Sequence, residues 1–259
     1  MRRGEIAFNA WTYVTDPAIV EVVAIAGFDA VTFDMEHFPF DQGVLRQAIV
    51  TANGAGISPF VRVPSADSPA ILPLLEAGVQ GILIPHADED AVRLAVETMR
   101  YAPVGHRGAL GFSRVAGYGE IPWQEHKRRA NEEVALIAVV EDADAVEQLP
   151  AIAAIDGLDF ITIGAHDLAE SLGVQGPNDA RLRAAMLKAA ADVNGVGRAK
   201  LALSLGNDMF PLTIREAREL GVAFLTVLPS LETQLLSHLK RVMAELRFES
   251  LKEASGTTA

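Results

Sequence analysis

The sequence predicts a single closed (β/α)8 barrel, an α/β TIM-barrel domain spanning residues 1–259. Eight short β-rich runs alternate with segments of helical spacing from one end of the chain to the other. The β-rich runs are almost continuously apolar, as strands buried on both faces must be. No composition break divides the chain, and half of its residues are apolar, enough for one large core. A doubly wound open sheet is the alternative, but eight units of near-equal length favour closure.

The expected strands are 5–10, 30–35, 58–63, 81–84, 135–140, 159–163, 200–203 and 224–228. Helical spacing falls at 17–26, 42–53, 69–77, 89–99, 143–154, 179–194 and 211–220. Asp16, Asp41 and Asp88 precede three of these as N-caps, each able to accept a main-chain N–H of the first turn. One connection is too long for a barrel loop. Residues 104–120 are glycine-rich and lead into a polar helix at 124–133, so the segment is either functional or a plain surface loop. A last amphipathic stretch, about 231–248, can pack within the chain or on a neighbouring subunit.

Composition excludes several function classes. A formal charge of -12 disfavours nucleic-acid and anionic-membrane partners. No cysteine is present, which removes disulfides, thiolate metal sites and thiol nucleophiles, and fits a reducing, cytoplasmic setting. There is no apolar run long enough for a membrane span or a signal peptide. P-loop, nucleophile-elbow and HExxH patterns are missing as well.

In barrel enzymes the catalytic groups stand at the C-terminal ends of the strands. Here those ends carry an unusual concentration of charge. Trp11 follows the first strand, and DMEH places Asp34, Glu36 and His37 after the second. Arg62 ends the third, Pro85-His86 follow the fourth, Glu141 follows the fifth, and Gly164-Ala165-His166-Asp167 follow the sixth. Glu141 and Asp167 are hard oxygen donors on adjacent strands, suited to Mg2+ or Mn2+ shared with a substrate. Helix N-capping is the alternative for each. His37 can exchange a proton near neutral pH. Arg62 is either half of a structural salt bridge or a donor to a developing oxyanion.

The order DMEH, VRVP, LLEAGVQGILIPH, RYAPVGHRG, VED and IGAHDLAESLG resembles the HpcH/HpaI aldolases, metal-dependent (class II) pyruvate aldolases, from about Trp11 to Gly173. The resemblance implies that Glu141 and Asp167 hold a divalent metal (Mg2+, Mn2+ or Co2+) and that Arg62 contacts the 2-oxoacid. It makes His37 the catalytic histidine and Glu76 its orienting partner. Glu36 would bond metal-bound water, with Asp34 behind it. Trp11, Gly164, Ala165 and His166 would line the substrate site, main-chain N–H groups there receiving the carboxylate. It also implies a homo-oligomer, commonly a hexamer. The chain departs from the family at Val139, where a glutamine is usual, at Ala165-His166, and at its last strand, which lacks a Ser-Asp ending.

The expected reaction is aldol cleavage or formation of a 4-hydroxy-2-oxoacid, a carbon–carbon lyase activity, through the enolate of pyruvate or hydroxypyruvate and an aldehyde. A CoA-ester lyase of the citrate-lyase or malyl-CoA type, or a barrel that binds a 2-oxoacid without catalysis, are the alternatives.

Overall fold

Eight parallel strands close on themselves in chain order: β1 (Ala7–Thr12), β2 (Ala30–Asp34), β3 (Ser58–Arg62), β4 (Gly81–Ile84), β5 (Ala135–Val140), β6 (Phe160–Ile163), β7 (Lys200–Leu205) and β8 (Phe224–Val227). The last strand returns to the first with Ala7 opposite Phe224 and Ala10 opposite Val227, so no sheet edge is left open. This computed structural model describes residues 5–254 apart from 175 and 178, and excludes the side chains of 249 and 251–254.

The helices are α1 (Pro17–Ile25), α2 (Gln42–Ala55), α3 (Ser68–Ala77), α4 (Glu89–Met99), α5 (Trp123–Glu133), α6 (Ala143–Glu147), α7 (Leu149–Ala153), α8 (Ala165–Ser171), α9 (Ala180–Val196), α10 (Ile214–Glu219) and α11 (Leu231–Ala254). Asp16, Asp41 and Asp88 cap α1, α2 and α4, accepting first-turn N–H groups at 2.8 Å from Ala18, Gly43 and Ala91. The single helix expected over 143–154 is two. Pro150 has no N–H to donate to a continuous helix, but it is tolerated in the first turn of α7, so the chain turns at Gln148 and starts again. The helix expected from 211 begins at Ile214, where Thr213 and Glu216 form a reciprocal capping box. The glycine-rich connection contains a 3-10 segment, Arg114–Gly119, broken at Gly117 and Tyr118, both in the left-handed region.

Two apolar layers hold the barrel. One joins the outer strand faces to the helices, through residues such as Val31, Val61, Ile82 and Leu136 with Leu45, Ile71 and Leu149. The other fills the interior with Phe60, Leu83, Ile137, Phe160 and Phe224, the Phe60 and Phe160 rings lying 5.1 and 5.7 Å from that of Phe224. Gly81 is required here, because any side chain at that position would overlap the Phe60 ring. Truncating such a phenylalanine to alanine costs roughly 3–5 kcal/mol. The plug sits toward the N-terminal half of the barrel. Above it, Thr32 donates to Asn9, and Asn9 donates to Thr226, at 3.0 and 3.1 Å. The interior therefore turns polar as it approaches the C-terminal rim, where the long charged side chains stand.

Candidate active site

Register brings the first pair together. Asp34 and Arg62 end β2 and β3 and are direct neighbours across the ladder. Arg62 donates from Nε and Nη2 to the two Asp34 oxygens at 2.9 and 2.5 Å, the fork-on-fork geometry open to arginine and closed to lysine. Asp34 is fully buried. Burial alone would lower the Arg62 pKa, but the bonded Asp34, then Glu36 and Glu141, raise it, so the guanidinium is a fixed cation. Its face lies 4.8 Å from the Trp11 ring. Two of its five N–H groups are donated to Asp34, which leaves the others able to serve a ligand. Glu36 Oε2 sits 2.9 Å from Arg62 Nη1 as an ion pair, outside hydrogen-bonding angles. That oxygen is buried without a hydrogen bond.

Glu141 and Asp167 stand on the same rim. Glu141 follows β5 and is almost wholly buried, and Asp167 lies in the first turn of α8, both lining the same cavity. Neither is an N-cap: Asp142 and Gly164 hold those positions, both without a side-chain cap bond. Burial, then the charge of Asp167, push the Glu141 carboxyl up to about 7, against the pull of His86. Gly164 makes the approach possible, since a Cβ there would collide with Glu141 Oε2.

Strand-end position marks His86 but gives it no role. Its backbone is left-handed, φ 45°, which is uncommon for a side-chain-bearing residue. That turn aims its N–H at Glu141 Oε1, 2.9 Å away. The imidazole lies among Glu141, Asp142 and Glu36 at 3.4–3.6 Å. Burial works to lower its pKa, and the three carboxylates outweigh that and raise it. A non-glycine residue directly after a proline at a strand end gave no hint of this geometry; only the positive φ reveals it.

His37 is exposed at the cavity wall, its Nε2 3.8 Å from Glu36 Oε2. Glu76 does not orient it. The Glu76 carboxylate, on α3, accepts from the buried Arg107 at 2.8 Å, and the acid beside His37 is its chain neighbour Glu36. Arg107 in turn stacks on Tyr101, 4.6 Å away, so Glu76 belongs to the packing of the glycine-rich connection. Trp11, His37, Arg62, Glu141, Gly164, Ala165, His166 and Asp167 all line one cavity of about 600 Å3, closed below by Ile137 and Phe224. No lysine lines it, and Lys200 begins β7 at the opposite end of the barrel.

The oxygen donors suit a hard divalent cation. A buried carboxyl whose pKa is raised partly by a second one on the same cavity wall, and a glycine that keeps the space beside it open, fit such an ion. Among the described residues no three histidine, aspartate or glutamate side chains converge as a complete ligand set.

The model of the HpcH/HpaI aldolase/citrate lyase family matches residues 8–207. The chain belongs to this family. Among its relatives, a hydroxypyruvate/pyruvate aldolase of Roseovarius nubinhibens is 33% identical over 86% of each chain. A 4-hydroxy-2-oxovalerate aldolase of Rhodococcus jostii is 36% identical over 81% of each. Among solved structures, an HpcH/HpaI aldolase from Desulfitobacterium hafniense superposes with a TM-score of 0.84 at 25% identity, covering 96% of this chain and 94% of that one. A citrate synthase superposes equally well at 28% identity, covering 95% of each chain. The chain is thus a carbon–carbon lyase of the HpcH/HpaI aldolase type. No helix among the described residues is long and apolar enough to cross a membrane.

Proposed function

We propose that this HpcH/HpaI aldolase makes and cleaves 4-hydroxy-2-oxoacids through the enolate of pyruvate or hydroxypyruvate, with a divalent metal held by Glu141 and Asp167. The observation that carries the reading is the shared placement of those two carboxyls beside the Arg62–Asp34 pair, in one cavity on the C-terminal rim. A bound Mg2+ or Mn2+ supplies Lewis acidity that makes the methyl group of a 2-oxoacid easier to deprotonate.

The chain's own groups do the rest. Main-chain N–H groups of Ala165, His166 and Asp167, in the first turn of α8, have no partners within that helix and receive the substrate carboxylate. Arg62 donates to the oxygen that gains charge as the enolate forms. Asp34 keeps the guanidinium in place and Trp11 backs it. His37 takes the methyl proton. The enolate carbon then bonds to the aldehyde carbon, and the aldehyde oxygen takes up a proton, giving the 4-hydroxy-2-oxoacid. Cleavage is the reverse. A Schiff-base route has no support, because no lysine reaches the cavity.

Hydrogen–deuterium exchange of the pyruvate methyl group in D2O, with and without Mn2+, tests this reading. Exchange that requires the metal and disappears in Glu141→Gln is the expected result. Metal-independent exchange in the presence of chelator would reject it, and exchange only of CoA thioesters would support the lyase alternative. The start of α11 is tied to β1, because Tyr13 N–H donates to Glu232 at 2.9 Å, while its Leu235, Leu236, Leu239 and Met243 are exposed. That face supports a homo-oligomer, with a hexamer as the expected size, to be measured by light scattering.

A further inference from the structure

We infer that Asp208 selects the acceptor: the aldehyde used by this chain is neutral and hydroxylated, and acceptors bearing a carboxylate or phosphate are excluded. The inference deepens the aldolase reading above and rests on it.

His166, in the first turn of α8, and Asp208, in the segment after β7, meet at the wall of the cavity, both exposed there. His166 Nε2 lies 2.8 Å from Asp208 Oδ1. Its other ring nitrogen, Nδ1, is 3.4 Å from Asn207 Nδ2. Asn207 is itself locked, because its Oδ1 accepts from the main chain of Met209 and Phe210 at 2.9 and 3.1 Å. The amide nitrogen of Asn207 can only donate, so Nδ1 accepts and Nε2 carries the proton toward Asp208. His166 and Asn207 are thereby positioning residues, and Asp208, whose side chain is exposed and lines the cavity, is the carboxylate they hold there.

Charge decides what that carboxylate admits. Arg62 is the sole arginine or lysine among the described residues that line the cavity, and it already faces Asp34 and Glu36. The anionic lining groups are Glu141, Asp167 and Asp208. With the donor 2-oxoacid occupying Arg62 and the metal, an acceptor carrying a negative charge finds no further arginine or lysine to receive it and meets Asp208 at the cavity wall. A hydroxyl next to the aldehyde carbon can instead donate to Asp208, and Ser204, Ser230 and Thr233 continue the same polar wall. An apolar aldehyde would have to cover these groups without bonding them.

The experiment compares kcat/KM for several acceptors with pyruvate and Mn2+ held fixed. Glycolaldehyde and glyceraldehyde are the hydroxylated neutral acceptors, propionaldehyde the apolar one, and glyoxylate and succinic semialdehyde the anionic ones. The native chain is expected to favour the hydroxylated set. Asp208→Asn, an exposed and near-isosteric change, is expected to narrow the gap between glyceraldehyde and succinic semialdehyde by about tenfold or more, mainly through acceptor KM. His166→Ala, which frees Asp208, is expected to narrow it less. Preference of the native chain for anionic aldehydes, or an unchanged ratio in Asp208→Asn, would overturn the inference while metal-dependent pyruvate exchange leaves the aldolase reading standing. Absence of exchange in the native chain would overturn both.

Discussion

His86 donates its main-chain N–H to Glu141 Oε1 at 2.9 Å from a left-handed backbone. The bond ties the loop after β4 to the acid after β5, and it fixes the orientation of a carboxylate that burial would otherwise leave protonated.

Partners that orient a metal ligand matter nearly as much as the ligand. We expect His86→Ala to weaken Mn2+ binding by about 10- to 100-fold, read by titration calorimetry. His86→Gly relieves the positive φ and keeps the N–H, so its loss should be smaller. Equal losses in the two variants would mean that the imidazole, and not the backbone turn, orients Glu141.

Arg62→Lys keeps the charge and loses the fork. Lysine cannot bond both Asp34 oxygens in a fixed plane or stack on Trp11. The expected result is a fall in kcat of about 100-fold or more, with a far-UV spectrum like that of the native chain. Arg62→Ala should also unfold more easily, by roughly 3–5 kcal/mol in denaturant titration, because it strands the buried Asp34.

Gly164→Ala tests the space beside Glu141. The backbone there is extended, φ -77°, so alanine brings no conformational strain and only the collision with Glu141 Oε2. The barrel should fold, and the rise in melting temperature that Mn2+ gives the native chain should be reduced or lost.

His126 sets an acid limit on stability far from the reaction. It is buried, 3.2 Å from the Tyr101 hydroxyl, and faces Arg107, Arg129, Glu76 and the main chain of Val115. Burial first, then the Arg107 charge, lower its pKa below the ordinary 6.5. The unfolded chain therefore binds the proton before the folded one does. Stability is complete above pH 6.5 and declines as pH falls toward the folded-state value, by at most about 1.4 kcal/mol per pH unit. Melting temperatures from pH 7.5 to 5 should show that slope, and His126→Gln should flatten it.

The barrel was legible in the sequence because burial on both faces leaves an apolar run at every strand, and the N-cap aspartates mark helix starts by local chemistry alone. Strand-end position also marked Asp34, Arg62, Glu141 and Asp167, because parallel closure sends every such end to one rim. Glu76 was paired with His37 by the family resemblance alone, and within this chain its carboxylate meets Arg107, 31 positions later. The roles of His86 and Asp208 stayed hidden, because a positive φ and a contact between the start of α8 and the segment after β7 leave no periodic trace.

The sequence by itself determined the closed cylinder and the rim on which the strand-end acids stand. Hydrophobic period and strand polarity are local and survive without any knowledge of contacts. Tertiary structure alone decided which carboxylate faces which cation, how Glu141 is aimed, and what stands at the cavity wall. Those depend on separations of a few ångströms between segments distant in the chain, and charge–charge and hydrogen-bond energies vary steeply over that range.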